Sequence, residues 1–236
     1  MEKYRHYILF IILILYLTEV SSIIINADPI QTSKLGDLVV YIDNVHGRSD
    51  IYTSLAQLGI KKITFMNVFS KLDKNVYYLS DVIVLYNVFR DFESEELQDL
   101  REWVEEGGRL IIICTEVSEP LKVLLSEFNV SISEKPYSGV FKLKGFLEQL
   151  GQVSGQGYVL KGLFPLAESR EGAIAVYGEI GKGKIFVSTS SVLLATTYLE
   201  KIFMWLAEDI KKSKGLGQVT FRIKTVNVPF NQMIFK

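Results

Sequence analysis

The side chains that could take part in chemistry lie at the ends of apolar runs that are typical of buried strands. The first run ends in an acid and is followed by an amide and an imidazole. A later run is followed by an amide, and another run is followed by a thiol, a hydroxyl and an acid. Because ligands of an open parallel sheet bind beyond the carboxyl ends of its strands, we expect these groups to line one cleft. The candidate ligand-binding residues are Asp43, Asn44, His46, Asn87, Cys114, Thr115, Glu116 and Ser190.

The single thiol limits the chemistry that this cleft could perform. Cys114 is the only cysteine, so the chain cannot form an internal disulfide. A cysteine attacks a substrate as its thiolate, which near neutral pH requires a neighbouring base. The only histidines are His6 and His46, and both precede Cys114 in the chain. We therefore favour the interpretation that the thiol is a small buried hydrophobic group.

His46 lies between two acids in the loop that follows the first run. Asp43, His46 and Asp50 provide two carboxylates and one imidazole, without a second histidine or cysteine nearby, so no metal site is predicted. The favoured interpretation is that His46 forms local hydrogen bonds and that Gly47 supplies a positive φ. The alternative is that Asp43 and His46 line a cleft for a small ligand or a partner's backbone, or act as acid and base in an enzyme.

The first half of the chain alternates strand and helix signals. Strands are predicted at residues 38–43, 62–66, 81–86 and 110–114, and the first helix at 49–58. The helix before the last of these strands has an apolar stripe of Leu97, Leu100, Trp103 and Val104 and acids in its first turn. This alternation predicts an α/β fold, a flavodoxin-like three-layer parallel sheet with helices on both faces.

The second half of the chain is less regular. A helix is predicted after Glu119, a short strand at 130–132, a hairpin of strands 173–177 and 185–189, and a final helix at 192–211. Residues 137–167 are interpreted as an insertion of uncertain shape. Residues 213–236 form a predicted C-terminal β extension with alternating apolar positions. This extension either closes the edge of the domain's own sheet or adds a strand to a partner, and edge closure is favoured.

The N-terminal segment predicts export. Lys3 and Arg5 precede an apolar run over residues 7–17, so residues 1–27 are interpreted as a signal peptide or, if uncut, a membrane anchor. Residues 28–37 are then a linker, and residues 38–212 the globular domain. The domain is expected outside the cytoplasm, membrane-anchored, or secreted after cleavage. The 26 basic and 27 acidic residues nearly balance, which argues against a nucleic-acid partner.

Four segments together resemble a known family. They are LVVYIDNVHG, DVIVLYN, ESEELQDLREWVEEGGRLIIIC and YGEIGKGKIFVSTSS, in that order, followed by an aromatic-rich helix. Over residues 38–209 the chain is similar to the class I amidotransferase-like domains labelled as the domain of unknown function DUF4350. The resemblance implies an amidotransferase-like fold, and many members of this group have lost the catalytic triad.

The resemblance argues against glutamine hydrolysis in this chain. An amidotransferase cysteine lies on a strained turn among small residues, whereas Cys114 is followed by Thr115, Glu116 and Val117. Where related domains lead toward the catalytic histidine, this chain has serines and a threonine at 188–191. No cofactor is predicted, because neither a GxGxxG motif after the first strand nor a Walker loop is present.

The expected function is that of a non-catalytic extracytoplasmic binding or scaffold domain. Members of the resembling group occur in extracytoplasmic parts of membrane proteins or beside transport machinery. The resemblance therefore implies contact with the membrane through the N-terminal segment and a protein partner in a membrane or envelope complex. The alternative is a hydrolase-like or small-ligand-sensing enzyme that uses the strand-end cleft.

Overall fold

A computed structural model describes residues 35, 38–65, 77, 79–208 and 210 of the 236-residue chain. The predicted signal peptide or anchor at 1–27 and the β extension at 213–236 lie outside the described residues, as does the linker at 28–37 apart from Leu35. No helix within the described ranges is long and apolar enough to cross a membrane.

The described residues form nine strands and four α-helices. The strands are β1 Val39–Asp43, β2 Lys62–Phe65, β3 Val82–Tyr86, β4 Arg109–Ile113, β5 Ser131–Leu143, β6 Gln152–Lys161, β7 Phe164–Glu168, β8 Ala173–Ile180 and β9 Gly183–Ser188. The helices are α1 Tyr52–Ala56, α2 Ser94–Glu106, α3 Glu119–Glu127 and α4 Thr196–Ala207, and 3₁₀ turns span Gly145–Leu150 and Ser191–Leu194.

The nine strands form one mixed sheet in the order β2-β1-β3-β4-β9-β8-β6-β5-β7. The first five are parallel to one another, and β8 pairs with β9 in the antiparallel direction. Strands β5, β6, β7 and β8 are antiparallel, and a further pairing between β7 and β8 closes them into a barrel. A parallel sheet and a closed barrel therefore share the β8–β9 hairpin.

The predicted helix-rich three-layer α/β fold is wrong. Such a fold places a helix between successive parallel strands, and this chain does so only as far as α3. Between α3 and β9 it forms four antiparallel strands with only a 3₁₀ turn among them. The segment interpreted as an insertion, residues 137–167, supplies most of this barrel, and the short strand predicted at 130–132 is the start of the long strand β5.

Alternate residues of the parallel strands are buried on opposite faces. On one face Val40, Ile42, Val84 and Phe186 pack with apolar residues of α1 and α4. On the other face Ile83, Leu85, Ile112 and Val187 pack with α2 and α3. Because both faces are covered, the strands are fixed and their carboxyl ends form a rigid base for the loops that follow.

The β8–β9 turn caps the carboxyl end of α2. Helix α2 ends at Gly107, whose φ of 128° suits glycine. Lys182 N then donates to Glu105 O at 2.8 Å, and Lys184 N donates to Gly108 O at 3.1 Å. These bonds satisfy carbonyls that the end of a helix leaves free, and they hold β9 beside β4.

Candidate functional site

The imidazole of His46 is held between two carboxylates. Its Nδ1 donates to Oδ2 of Asp43 at 2.9 Å, and its Nε2 lies 3.4 Å from Oε2 of Glu96. The ring also stacks on Phe92, with 4.0 Å between centroids and an interplanar angle of 12°. Only 3% of His46 is exposed. Both ring nitrogens therefore face carboxylates of the protein itself.

Asp43 ends β1 and shapes the loop after it. Its Oδ1 accepts hydrogen bonds from the backbone N–H groups of Val45, at 2.7 Å, and His46, at 3.1 Å. The side chain is completely buried. An aspartate that binds the backbone two and three residues ahead is a common way to fix a tight turn. Asp43 thus holds both the backbone and the ring of His46.

Glu96 connects this loop to helix α2. Glu93 is the N-cap of α2, and Glu96, at the third helical position, accepts a hydrogen bond from Glu93 N at 2.8 Å as part of a capping box. The same carboxylate faces His46. From the sequence, the acids in the first turn of this helix, of which Glu96 is one, were interpreted only as suiting the helix dipole, so the contact of Glu96 with His46 was missed. The spacing of Glu93 and Glu96 is the signal that indicates the capping box.

The two carboxylates change the ionisation of His46. Burial alone would lower the pKa of the imidazole, but the hydrogen bond and charge of Asp43 and the charge of Glu96 outweigh burial and raise it above 6.5. The protonated imidazole is therefore favoured in the folded chain. We call Asp43, His46, Phe92 and Glu96 the histidine cluster.

Gly47 is required for a reason other than the one predicted. It is not among the described glycines with positive φ, so the prediction of a left-handed conformation is wrong. A Cβ at this position would lie 2.6 Å from the carbonyl oxygen of Tyr86. The next residue, Arg48, donates its backbone N–H to the same oxygen at 2.6 Å. Glycine is needed here because the loop lies directly against the end of β3.

A second group of predicted residues meets at the ends of β3 and β4. Asn87 has a positive φ of 49°, and its backbone N–H donates to Ile113 O. Its side-chain oxygen accepts hydrogen bonds from the Thr115 backbone N–H at 2.7 Å and from the Thr115 hydroxyl at 3.2 Å. Asn87 therefore joins the loops that follow these two strands and orients Thr115.

Cys114 lies in the core. None of its surface is exposed, its backbone N–H donates to Ser188 O at 2.9 Å, and its Sγ lies 3.6 Å from the same oxygen. Burial raises the pKa of the thiol to about 12. Apolar residues of β4 and α3 belong to the same core cluster. A thiol in this state is neutral and shielded from reagents at physiological pH.

The end of β9 presents a different residue from the one predicted. Ser190 is buried, and its backbone N–H donates to the Ser188 hydroxyl at 3.2 Å. The adjacent Thr189 donates its hydroxyl to Tyr158 O at 2.6 Å and lines a pocket. Thr189 is buried as well, with 2% exposed, and it was missed because no local pattern shows which of the hydroxyls at 188–191 borders the pocket.

The remaining predicted residues lie apart from these contacts. Glu116 is on the surface, where its 70% exposed carboxylate lies 3.8 Å from the guanidinium of Arg48. Asn44 is partly buried, and its Oδ1 has no hydrogen-bond partner within the described part of the chain. The structure therefore joins Asp43 to His46 and Asn87 to Thr115, but does not gather all eight candidates into one cleft.

The pocket beside Thr189 lies where the parallel sheet meets the barrel. It has a volume of about 210 Å³ and is bounded by the ends of β4 and β9 on one side and by β5 and β6 on the other. Its lining residues are Thr115, Pro136, Gln156, Gly157, Tyr158, Thr189 and Ser191. Of the predicted candidates, only Thr115 reaches it.

Comparison with known proteins identifies the fold. No protein-family model matches the chain, and no curated protein resembles it at a significant level. The chain is similar to the mmIFT52 N-terminal domain, with a TM-score of 0.55 and 15% identity over 72% of this chain and 97% of that domain. It is also similar to the cytoplasmic protein STM1381 from Salmonella typhimurium LT2, with a TM-score of 0.55 and 15% identity over 71% of this chain and 98% of that one.

A third similar structure is an enzyme of which only a part is matched. The β-galactosidase from Bacillus circulans sp. alkalophilus has a TM-score of 0.52 and 14% identity, over 74% of this chain but 33% of the enzyme. None of these three structures supports the amidotransferase-like description of the fold. At such low identity the similarities establish only that the chain shares the fold of the mmIFT52 N-terminal domain and of STM1381.

Proposed function

We propose that this chain is a non-catalytic binding domain with a protein partner in a membrane or envelope complex. The single observation that supports this most is the state of Cys114. A fully buried thiol whose pKa lies near 12 is not available as a nucleophile.

The histidine cluster supports the same proposal. A general base must reach a substrate with a free nitrogen, and both nitrogens of His46 face carboxylates of the protein. The ring is also covered on one side by Phe92. These contacts suit a structural role that joins the loop after β1 to the first turn of α2. No observation on these residues favours the alternative of a hydrolase.

The contacts of His46 extend to an aromatic residue that is suited to binding. The carbonyl oxygen of His46 accepts a hydrogen bond from the Phe89 backbone N–H at 2.8 Å. The neighbouring Val88 carbonyl accepts one from the Ser118 hydroxyl at 2.5 Å. The loop is thus fixed at both residues, yet 53% of Phe89 is exposed. An exposed aromatic side chain on a fixed backbone is typical of the residues that contribute strongly to protein interfaces.

The proposed location follows from the N-terminal sequence. Basic residues before an apolar run predict an extracytoplasmic domain that is tethered if the segment stays uncut. The partner is then a protein of the same compartment, bound through the loops at the carboxyl ends of the strands. In this proposal Phe89 is the anchor, and Arg48 and Glu116 lie on the polar rim.

Replacing Phe89 with aspartate is expected to abolish partner capture without unfolding the domain. The change puts a charge where an apolar contact is proposed, and loss of a central aromatic contact costs about 2 kcal/mol or more, roughly 30-fold in affinity. The measurement is capture from detergent-solubilised membranes of the source organism with the tagged full chain, scored by quantitative mass spectrometry. Thermal unfolding is recorded for every variant.

Cys114→Ala and Val123→Asp are the matched controls for this experiment. Cys114→Ala removes the thiol that an enzyme would need, and Val123 is as exposed as Phe89 but lies on α3. Both variants should capture the same proteins as the unaltered chain. Loss of capture by a folded Cys114→Ala variant, or equal capture by the Phe89→Asp variant, would refute the proposal.

A further inference from the structure

We propose that the pocket between the ends of β4 and β9 and the β5–β6 hairpin binds a neutral hydroxylated ring, such as one monosaccharide unit. A volume of about 210 Å³ suits one such ring. The proposal does not depend on the partner contact at Phe89, which does not line the pocket.

The lining of the pocket is polar but uncharged. Its lining residues include four that carry a hydroxyl, one that carries an amide and none that is acidic or basic; the polar ones are Thr115, Tyr158, Thr189, Ser191 and Gln156. A bound carboxylate or phosphate would lose its hydration without gaining an opposite charge, which is unfavourable. Neutral hydroxyl groups, in contrast, both donate to and accept from such side chains. The lining therefore selects a neutral polar ligand.

Some of these polar groups are held in place by the protein. The Thr115 hydroxyl donates to Asn87 Oδ1, and the Thr189 hydroxyl donates to Tyr158 O. Each hydroxyl oxygen still has lone-pair capacity to accept a bond from a ligand. Groups that are oriented before binding lose little freedom when a ligand arrives.

Other groups of the lining have no partner among the residues that the structure describes. Among the described residues, no hydrogen bond is formed by the side chain of Gln156 or Ser191. The Gln156 amide offers two donors and one acceptor, and the Ser191 hydroxyl offers both functions. A ligand with several hydroxyls could use these groups together with Thr115 and Thr189.

Two backbone features of the hairpin form the pocket. The pairing of β5 and β6 shifts in register between Ile132 and Pro136, which interrupts the ladder beside the pocket. On β6, Gly157 lets the strand lie against Thr189, because a Cβ there would be 2.7 Å from the Thr189 hydroxyl. Pro136 and Tyr158 are cross-strand partners and add apolar surface, which suits the C–H groups of a sugar ring.

The test is a binding titration of the full chain with defined sugars. Glucose, galactose, mannose, N-acetylglucosamine and myo-inositol are the neutral probes, and glucuronate is the charged one. Binding is followed by saturation-transfer difference NMR and by calorimetry. At least one neutral probe should bind, and glucuronate should bind more weakly than glucose.

Gln156→Ala and Gln152→Ala form a matched pair of variants. Both glutamines are exposed residues of β6, but only Gln156 lines this pocket. Loss of its hydrogen bonds should lower the affinity for the best neutral probe roughly 3- to 10-fold, whereas Gln152→Ala should leave it unchanged. The proposal is overturned if no neutral probe binds the folded chain, if glucuronate binds best, or if both variants behave alike. Partner capture through Phe89 is measured separately, so either proposal can fail alone.

Discussion

Replacing Asp43 with alanine should lower the free energy of unfolding by about 3–5 kcal/mol, the cost of removing one partner from a buried ion pair. The change leaves the backbone N–H groups of Val45 and His46 without their acceptor and takes the carboxylate from the His46 ring. Urea unfolding followed by circular dichroism measures the change. Asp43→Asn should cost less, because an amide oxygen can still accept the backbone bonds.

The dependence of this effect on pH identifies its origin. The pKa of His46 is raised in the folded chain, so protonation stabilises the fold fully below pH 6.5 and this contribution is lost as pH rises through the folded-state pKa. This decrease in stability with rising pH should disappear in the Asp43→Ala variant. Glu116→Ala serves as the control, because its carboxylate is exposed and should matter little to stability. A small effect of Asp43→Ala, equal to that of Glu116→Ala, would contradict the structural role of the histidine cluster.

Replacing Gly183 with alanine should be at least as damaging, at about 4 kcal/mol or more. Gly183 begins β9, and a Cβ there would overlap the carbonyl oxygens of Val104 and Gly108 at the end of α2. These are backbone atoms, so the clash can be relieved only by moving the β8–β9 turn away from the helix. Thermal unfolding and the yield of folded protein are the measurements.

Gly151→Ala is the matched control for this change. Gly151 has a φ of 76° and a ψ of −94°, but a Cβ at this position would meet no other atom within 4 Å, so only the backbone conformation is disfavoured, at roughly 1–3 kcal/mol. If Gly183→Ala were no more destabilising than Gly151→Ala, β9 could not begin against the end of α2 as the structure has it. The experiment thus tests the insertion of β9 beside β4.

The local elements of the parallel half were predictable from the residues. Continuous apolar runs marked β1, β3 and β4, and the stripe of Leu97, Leu100, Trp103 and Val104 on α2 is buried. These elements have signals that are local in sequence, namely periodicity, glycine at helix ends and acids in the first turn. Their assembly into a helix-rich three-layer fold did not follow, because assembly depends on what the rest of the chain forms.

The barrel was missed because its strands lack such local signals. Strand β5 includes Pro136 and Gly139 and has long exposed stretches, so neither alternation nor a continuous apolar run marks it. It pairs with β6 along most of its length and with β7 at Lys142 and Leu143, and β7 pairs in turn with the next strand, β8. The pairing of β5 with β7 skips β6 and closes the barrel, and no local pattern in the sequence marks it.

The candidate site was predicted in part for the same reason. Asp43 and His46 are three residues apart, so their contact could be anticipated from the sequence. Glu96 reaches His46 only because α2 begins beside the loop after β1, which no local pattern shows. Cys114 directly follows the buried strand β4. Whether its thiol faces the core or a cleft depends on which face of the sheet the side chain lies on and on the contact with Ser188 of the neighbouring strand β9.

The most direct test of the proposed non-catalytic role is the reactivity of Cys114. We would measure the rate at which its thiol reacts with a disulfide reagent such as DTNB. The full chain is compared in its native state and in urea, between pH 6 and 9. We expect the native thiol to react at least about 100-fold more slowly than the unfolded one, with no thiolate formation in this range, because burial raises its pKa to about 12. A native rate equal to or above the unfolded rate, with ionisation below the ordinary thiol pKa of about 8.5, would contradict a non-catalytic role.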